Sequence, residues 1–557
     1  MANSSLRYAK KKKLAFDLFH QGRYGEACVL ASELRAKNGR DEELRSLLGH
    51  TYFQLGKLDD ARRCFRAVVE NAPKNWKAHA DLANAAHHMG DLQEAVTHFK
   101  EAIRLDPTIA PVWDNLGISL CCQGKYHEAV ECHRRALAVD PRFSRAHSNL
   151  LLTLHYLPDG DPEELFNEHQ RWGAIHTRSG TPPAHSNSLD PERRLRVGYV
   201  SGDFRTHSVA YFIEPLIASH DRDRIAVWCY ANLQGEDTVT KRLRDLSDHW
   251  RCIAGQDPAA VARQVQADQI DILVDLAGHT SSGLLALFAH KPAPIQVTYL
   301  GYPDTTGLPA IDYRLCDAIT DPPDQPTHCT EELFRLPDCF LCYQPYGQAP
   351  PVSVPPAAAD GHVVFGSFNN LAKINPLVVE VWAKLLDAVP GSHLLIKNPS
   401  LHDAPTRDRY TARFRSHGVP AERLELRGPT DSIADHLALY SRVDIALDTF
   451  PYNGTTTTCE ALWMGVPVVT LCGTNHAARV SASLLATAGL HDWVSHDLDG
   501  YLEVASRLAN TPDHLAAIRR SLRDRVASSP LCDPERLARN VEQVYRTIWR
   551  CHCESSP

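Results

Sequence analysis

The first 150 positions repeat a pattern of small and apolar residues every 34 positions. Two interleaved series of small residues, one of glycine and one of alanine, make a chance match untenable. Proline and leucine add two more series with the same period. The repeating positions are Gly22, Gly56, Gly90 and Gly124; Ala27, Ala61, Ala95 and Ala129; Pro73, Pro107 and Pro141; and Leu48, Leu82, Leu116 and Leu150. A 34-residue period predicts a stack of helix pairs.

Each repeating residue has a physical purpose in such a stack. Glycine suits the turn between two helices, alanine lets the second helix pack closely, and proline ends that helix. The pattern resembles the tetratricopeptide repeat, a superhelical solenoid whose concave groove docks extended polypeptides. We predict that residues 1–150 form this arm. Asp81, Asn115 and Asn149 share one repeat position and are predicted to bind the backbone of a docked protein, although ordinary helix-surface groups explain that position equally well.

Short apolar runs alternate with amphipathic helical patterns after residue 190, which predicts parallel α/β sheets. Residues 151–190 form a helical connector, and residues 348–361 are too rich in proline and alanine for a packed core. Residues 191–347 and 362–557 therefore form two Rossmann-like lobes, the second ending in a helix predicted to pack across both. The predicted strands are LRVGYVS, IAVWCY, DILVDLAG and PIQVTYLG in the first lobe, and HVVFGSF, HLLIKN, LELRG, DIALDT and VPVVTL in the second.

Charge and composition exclude several classes of partner. The 557 residues include 59 basic and 67 acidic ones, a net charge of −8, which gives no electrostatic footprint for nucleic acid. No stretch approaches the ~20 consecutive apolar residues of a membrane helix. Sixteen cysteines are scattered without the spacing of a metal or redox motif. We predict a cytoplasmic protein that binds neither nucleic acid nor membranes.

One segment carries the strongest chemical signal, because a polar run separates a predicted strand from a predicted helix. Asn453, Gly454 and the threonines Thr455, Thr456 and Thr457 stand at the start of that helix, where backbone N–H groups and the helix dipole favour a diphosphate. Glu460 follows one turn later. It is a candidate ligand for a ribose hydroxyl, or it forms a capping box with Thr457 that needs no ligand.

Four motifs stand in the order typical of one enzyme family: LRVGYVSGDFRTH, PAPIQVTYLGYPDTTG, FGSFNNLAKINP and DIALDTFPYNGTTTTCEALW. With the repeats before them, they resemble the O-linked N-acetylglucosamine transferases over nearly the whole chain, with a short arm like that of bacterial members. The resemblance implies a GT-B glycosyltransferase that moves N-acetylglucosamine from UDP-GlcNAc to serine or threonine hydroxyls of proteins docked on the arm, with inversion at the sugar.

The resemblance also implies roles for individual residues. It places His207 in the active site, as a general base or hydrogen-bond partner, and Lys373 against the departing diphosphate. His279 and Asp275 are further candidates for acid/base work at a strand end. The remaining candidates for donor binding, through the uracil, the sugar or the diphosphate, are His436, Gly301, Pro303, Thr280 and Asn370.

The sequence predicts that the reaction uses no metal or other cofactor. Its one Asp-x-Asp pair, Asp159 and Asp161, lies in the connector and is interpreted as a turn. Animal relatives have histidine where Thr455 stands and tyrosine where Ala372 stands, so the preferred sugar is open. The alternatives are transfer of another sugar or to another acceptor, such as a hexose to asparagine, and an inactive scaffold that only binds partners.

Overall fold

A computed structural model describes residues 2–38, 41–177, 183–280, 283–326, 328–345, 347, 349–357 and 361–555. Internal contacts divide the chain into two compact units. The first contains residues 1–146 with 402–408, and the second contains residues 147–401 with 409–557. Each unit is described by itself.

Eight helices form the first unit as four antiparallel pairs, and the predicted repeat is confirmed in its details. The four repeat glycines have φ between +70° and +83°, a region that favours glycine, and the four repeat alanines are fully buried. Three helices end two residues before a repeat proline. The helices are α1 Ala2–His20, α2 Tyr24–Lys37, α3 Glu42–Gln54, α4 Leu58–Asn71, α5 Trp76–His88, α6 Leu92–Leu105, α7 Ala110–Cys122 and α8 Tyr126–Val139.

Two helices connect the repeats to the first sheet, α9 Ser144–Leu154 and α10 Pro162–His176. His147 and Glu168 join them through a 2.7 Å hydrogen bond. Asp161 caps α10 by accepting a hydrogen bond from the Glu163 N–H at 2.9 Å, so this aspartate of the Asp-x-Asp pair stabilises a helix start.

The first lobe is a seven-stranded, wholly parallel sheet in the order β3-β2-β1-β4-β5-β6-β7. Its buried strands β1, β2 and β4 are continuous apolar runs because helices cover both faces of a parallel sheet. The elements are β1 Leu195–Ser201, α11 Ser208–Ser219, β2 Ile225–Ala231, α12 Thr238–Leu246, β3 His249–Cys252, α13 Pro258–Ala267, β4 Ile272–Asp275, α14 Leu285–Phe288, β5 Ile295–Thr298, β6 Tyr313–Asp317 and β7 Glu332–Leu336.

The second lobe repeats this design with six parallel strands in the order β10-β9-β8-β11-β12-β13. Its elements are β8 Val364–Ser367, α15 Pro376–Ala388, β9 His393–Lys397, α16 Ala404–Ser416, β10 Leu424–Arg427, α17 Ile433–Ala438, β11 Ile445–Leu447, α18 Thr456–Trp463, β12 Val468–Leu471, α19 Val480–Thr487, β13 Val494–Ser495, α20 Leu498–Ala509, α21 Pro512–Ala527 and α22 Pro534–Ser555. Both sheets therefore have the strand order of the Rossmann fold.

The last helix ties the lobes together, as the sequence predicts. α22 leaves the second lobe and packs on α11, β5 and β7 of the first. Glu542 accepts a hydrogen bond from His220 at 2.9 Å, and the Tyr545 hydroxyl lies 3.3 Å from that of Tyr199. One continuous hydrophobic core spans both lobes. Within the described ranges, every helix falls short of the length or apolar character that a bilayer-spanning helix requires.

Candidate functional site

Each sheet has one point at which its strand order reverses, and parallel α/β sheets bind ligands in the crevice outside the strand ends there. The reversal lies between β1 and β4 in the first lobe and between β8 and β11 in the second. Most predicted catalytic and donor-binding residues follow these four strands, and Gly301 and Pro303 follow the adjacent β5. The topology thus gathers residues that are far apart in sequence at two crevices.

Lys373 is the central charge of the second crevice. It ends a short 3-10 turn before α15, and its ammonium donates a 2.6 Å hydrogen bond to the Asn453 carbonyl. The same ammonium lies 4.0 Å from the centre of the Tyr452 ring. It forms an ion pair with none of the described carboxylates, and burial lowers the pKa of Lys373 to about 8, opposed in part by the charge of Asp448. A cation held without an anionic partner is suited to an anionic ligand.

Asp448 closes the loop that carries the predicted diphosphate contacts. Its Oδ1 accepts hydrogen bonds from the Gly454 N–H at 2.7 Å and the Thr449 N–H at 2.9 Å, while Oδ2 accepts from the Thr470 hydroxyl at 2.7 Å. Asn453 is fully buried and donates from Nδ2 to the Thr449 carbonyl. A Cβ at Gly454 would meet Asp448 and two threonine hydroxyls within 3.0 Å, so the tight loop excludes a larger residue.

The threonine run opens α18, and the predicted capping box is wrong. Thr455 is the N-cap but makes no side-chain cap bond, while Thr456 and Thr457 already lie in the first helical turn. The Thr457 hydroxyl donates instead to Asn369 Oδ1 at 3.0 Å, across to the end of β8. Because no described side chain caps α18, its N–H groups and dipole remain available to an anion.

Glu460 and His436 form a polar chain with Lys397. The Lys397 ammonium donates to His436 Nδ1 at 3.0 Å, which leaves the proton on Nε2, and Nε2 donates to Glu460 at 2.9 Å. Phe368 packs beside the imidazole, with the ring centres 5.7 Å apart. This geometry fixes the tautomer of His436 and holds its ring beside an aromatic side chain. Roles of His436 and Glu460 toward the uridine remain predictions.

Asn370 and Ala372 shape the turn that carries Lys373. Asn370 is exposed, and its Oδ1 accepts from the Ala372 N–H at 3.1 Å. Ala372 is buried. The Asn370 side chain therefore fixes the backbone just before the ammonium, and a direct contact with the donor stays a prediction.

His207 is the N-cap of α11, at the edge of the first crevice. Its Nδ1 accepts a hydrogen bond from the Val209 N–H at 3.3 Å and lies 3.8 Å from Asp203. The side chain is 40% exposed, and burial of the remainder lowers its pKa. An imidazole that accepts at Nδ1 carries its proton on Nε2, so in this conformation His207 presents an N–H donor to the crevice.

Asp275 and His279, predicted as candidates for acid/base work, are enclosed side chains, and their roles in the reaction stay predictions. Each is 1% exposed. Asp275 accepts from the Ala277 and Gly278 N–H groups and from the Thr298 hydroxyl, and burial raises its pKa to about 6. His279 Nε2 donates to the Thr306 carbonyl at 2.8 Å and Nδ1 accepts from the Ser148 hydroxyl at 3.0 Å. Both residues build the loop after β4.

Two glycines beside this loop permit close backbone contacts. Gly278 has φ +51°, and a Cβ there would lie 2.4 Å from the Tyr302 side chain. A Cβ at Gly301 would lie 1.8 Å from the Leu276 carbonyl. Thr280 donates from its hydroxyl to the Ala277 carbonyl at 2.8 Å, and Pro303 is partly exposed. Their proximity to the sugar stays a prediction.

The predicted docking residues of the arm are partly engaged with neighbouring side chains. Asp81 pairs with His50 at 3.2 Å, and Asn115 accepts from Arg145 at 3.1 Å and donates to Asn84 at 3.0 Å. Together they line a cavity of about 470 Å³ within the first unit. Asn149 lies on α9 and is assigned to the second unit. Asp81 and Asn115 thus present an ordered polar surface, and docking on it is a proposal.

Sequence reasoning missed several residues of the second crevice. The ring of Tyr452 makes a cation–π contact with the Lys373 ammonium, and Tyr156 stacks on Tyr452 with the ring centres 5.5 Å apart. Asn369 and Lys397 bond to Thr457 and His436. An aromatic residue directly before Asn453 was a usable signal for Tyr452, whereas Lys397 stands at the end of a strand with no local motif.

More than half of the chain matches the model of one protein family. Residues 174–344 and 356–541 match glycosyl transferase family 41, which covers both lobes. The chain belongs to this family. Residues 46–108 and 114–139 of this family 41 protein match tetratricopeptide repeats.

A solved structure and curated sequences extend this result. The Thermobaculum terrenum O-GlcNAc transferase, solved as a point mutant, superposes with a TM-score of 0.86 and 38% identity over 93% of this chain and 98% of that one. This neighbour and the two parallel sheets establish a helical repeat arm followed by a GT-B fold.

Among curated proteins, the SPINDLY protein of Petunia hybrida, named a probable UDP-N-acetylglucosamine–peptide N-acetylglucosaminyltransferase, is 45% identical over 75% of this chain. The SEC protein of Arabidopsis thaliana, named likewise, is 32% identical over 68% of it, and the corresponding Caenorhabditis elegans transferase is 25% identical over 68%. The alignments cover 45%, 40% and 43% of those relatives, so this chain spans less than half the length of the curated relatives it matches.

Proposed function

We propose that this family 41 protein transfers N-acetylglucosamine from UDP-GlcNAc to serine or threonine hydroxyls of proteins, with inversion at the sugar. The observation that carries the proposal is the ammonium of Lys373, held without a carboxylate partner beside the uncapped start of α18. The petunia, Arabidopsis and nematode relatives are named for this donor and a peptide acceptor.

Positive potential on the donor side comes from the chain itself. Lys373 and the N–H groups at Thr456 and Thr457 stabilise the negative charge that develops on the diphosphate as the sugar leaves. A divalent cation performs this task in metal-dependent transferases. The proposed reaction therefore needs no magnesium or manganese.

On the acceptor side, the exposed edge of His207 offers an Nε2–H donor to an oxygen of the acceptor or the sugar. Such a bond orients the attacking hydroxyl for in-line displacement, which is the main requirement of inversion. The alternative general-base role requires a bare Nε2, with the proton moved to Nδ1 on the side of Asp203. The two roles predict different turnover for His207→Gln, which retains an N–H donor but cannot act as a general base.

The reaction is tested with the purified chain, a panel of UDP- and GDP-sugars, and a peptide library. We expect a mass gain of one N-acetylhexosamine from UDP-GlcNAc, mapped by electron-transfer fragmentation to serine or threonine, with EDTA without effect on the rate. Lys373→Met is the control for enzyme-dependent transfer. Transfer of another sugar would contradict UDP-GlcNAc as the donor and identify the donor used instead. A product on asparagine would contradict serine and threonine as acceptors. UDP binding without any product would favour the alternative of an inactive scaffold.

The arm is proposed to recruit the acceptor protein through the cavity lined by Asp81 and Asn115. Removing two of its polar groups with Asn84→Ala and Asn115→Ala should slow transfer to intact proteins several-fold and leave transfer to short peptides unchanged, because the arm raises the local concentration of the acceptor. Glu101→Ala removes a partly exposed arm residue that does not line this cavity and serves as the matched control. Equal loss for peptides and proteins would contradict docking.

A further inference from the structure

Three side chains of the kinds that bind metals converge beside Tyr452, the residue whose ring contacts the Lys373 ammonium. His155 follows α9, His169 lies on α10, and Asp304 follows β5. Their ligand atoms all lie within 4.8 Å of one another, with His155 Nε2 3.5 Å from Asp304 Oδ2. The Tyr302 hydroxyl stands between the imidazoles, 3.2 Å from His155 Nε2 and 2.8 Å from His169 Nε2.

These separations suit a four-coordinate ion. Zinc binds imidazole nitrogen and carboxylate oxygen at about 2.0–2.2 Å, which places neighbouring ligands of a tetrahedron about 3.3–3.6 Å apart. The distances from His155 to Asp304 and to Tyr302 lie within about 0.1 Å of that range. His169 Nε2 and the Tyr302 hydroxyl are 2.8 Å apart, so these two atoms would have to move apart to bind one ion.

Outer hydrogen bonds leave one ligand atom each of His169 and Asp304 for the common centre. His169 Nδ1 donates to the Leu165 carbonyl at 2.8 Å, which fixes the neutral tautomer with a bare Nε2. Asp304 Oδ1 accepts from the Thr305 N–H at 2.7 Å, which leaves Oδ2 for the centre. Metal ligands in proteins are commonly oriented by such outer hydrogen bonds.

An ion can reach the cluster from one side. Asp304 is the least buried of the three ligands, and it lines a small cavity of about 70 Å³ together with Asp321 and Arg314. The guanidinium of Arg314 pairs with Asp321 at 3.4 Å, which offsets its repulsion of a cation. Two nitrogen ligands disfavour calcium and magnesium, which prefer oxygen, and favour zinc and similar transition ions.

We propose that His155, His169 and Asp304 form a binding site for a divalent ion of the zinc class, with the Tyr302 oxygen in the fourth position. The ring of His155 also contacts that of Tyr452, with centres 6.1 Å apart, and Tyr452 carries Lys373. The sequence hides this cluster because its ligands come from three separate segments with no metal-binding motif.

The test uses the full-length chain after removal of metal with a chelator, titrated with Zn²⁺ by calorimetry and with Co²⁺ by absorption. We expect one equivalent of either ion, and visible Co²⁺ bands of a tetrahedral nitrogen and oxygen site without the intense near-ultraviolet band of cobalt bound to thiolate. His169→Gln and Asp304→Asn should each lower the affinity at least ~100-fold, since even the loss of an outer partner costs 10–100-fold.

The matched control is His220→Gln, which removes another fully buried imidazole with a carboxylate partner in the same unit and should leave the affinity unchanged. Asp304→Asn conserves size at a partly exposed position, so it reports on binding even if His169→Gln unfolds the chain. Absence of one-to-one binding, a thiolate band, or unchanged affinity in Asp304→Asn overturns the site. The readout is metal binding, so this outcome and the fate of the proposed transfer reaction are independent.

Discussion

The two Rossmann-like lobes have the same strand order around their reversal points, yet they present opposite chemistry there. In both lobes, the helix after the first of the two strands at the reversal point is capped by a side chain, since His207 accepts from the Val209 N–H at α11 and Asn375 accepts from the Val378 N–H at α15. In both lobes, the helix after the second of these strands, α14 or α18, begins after an N-cap residue that makes no side-chain cap bond, and in the second lobe the ammonium of Lys373 lies beside the loop that leads into α18. The same strand order therefore places the imidazole of His207 at the crevice of the first lobe and a site suited to an anion, with the ammonium of Lys373, at the crevice of the second.

The difference separates what the strand order determines from what individual side chains determine. Strand order determines where each crevice lies, but the side chains that follow the strands, His207 in the first lobe and Lys373 in the second, determine which groups each crevice offers to a ligand. Buried groups such as Asp275 serve the loop architecture of the first lobe, whereas the exposed His207 is free to face a substrate. Substitutions of His207, Lys373 and His279 test this difference between the lobes.

The largest expected effect is the loss of turnover when His207 is replaced. His207→Ala should lower turnover by about 10²–10⁴-fold with little change in UDP affinity, the range for losing a positioned acid/base group. A hydrogen-bond donor role predicts a loss near the lower end and partial rescue by His207→Gln, which retains an N–H. A general base predicts a loss near the upper end and no rescue. Steady-state rates with saturating UDP-GlcNAc, beside UDP calorimetry, decide between them, and wild-type turnover in His207→Ala would contradict both.

The architecture was readable from sequence because it rests on local periodicity. The 34-residue repeat and nine strands were predicted from patterns that each element carries within itself. Four strands were missed: β3, β6, β7 and β13. β3 is exposed at the edge of its sheet, and β13 has two residues, so neither carries the continuous apolar run of a buried strand.

The site was readable only where its chemistry is local. Asn453, Gly454 and the threonine run were predicted as donor-binding residues because a strand, a loop and a helix start follow one another in the sequence. The enclosure of His279 was not predictable, since its partners Ser148 and Thr306 are 131 and 27 positions away. The aromatic contact between Lys373 and Tyr452 likewise depends on how β8 and β11 pair.

The second effect is on the anion side. Lys373→Met should weaken UDP binding or slow transfer by about 1.5–3 kcal/mol, the worth of a hydrogen bond to a charged group. Lys384→Met is the matched control, because Lys384 is exposed and pairs only with Glu380 on α15 among the described residues. Calorimetry with UDP and with uridine separates the charge effect, since uridine lacks the diphosphate and should bind both proteins equally. Equal weakening of uridine would mean that Lys373 supports the fold instead.

A smaller effect follows from the pKa of Lys373, which is about 8 in the free protein. Below pH 8 the ammonium is charged and available to the diphosphate. Above pH 8 the free protein has mostly neutral Lys373, which must take up a proton before it can pair with the diphosphate. The UDP affinity should therefore fall by up to about tenfold per pH unit. The same titration of Lys373→Met should lack this loss. Parallel curves for the two proteins between pH 7 and 9 would show that the lysine does not face the phosphates.

The smallest effect on catalysis is expected at His279, and it tests whether enclosure excludes the residue from the reaction. His279→Gln keeps a donor and an acceptor but cannot reproduce both bonds to Thr306 and Ser148, so the protein should unfold at a lower temperature. The turnover of the folded fraction and its pH profile should match wild type, because neither nitrogen of His279 is free to exchange a proton with substrate. Thermal unfolding by circular dichroism gives the stability change, and rates measured well below the unfolding transition give turnover. A loss comparable to that of His207→Ala, with a displaced pH profile, would place His279 in the reaction and erase the contrast between the enclosed and exposed histidines of the first lobe.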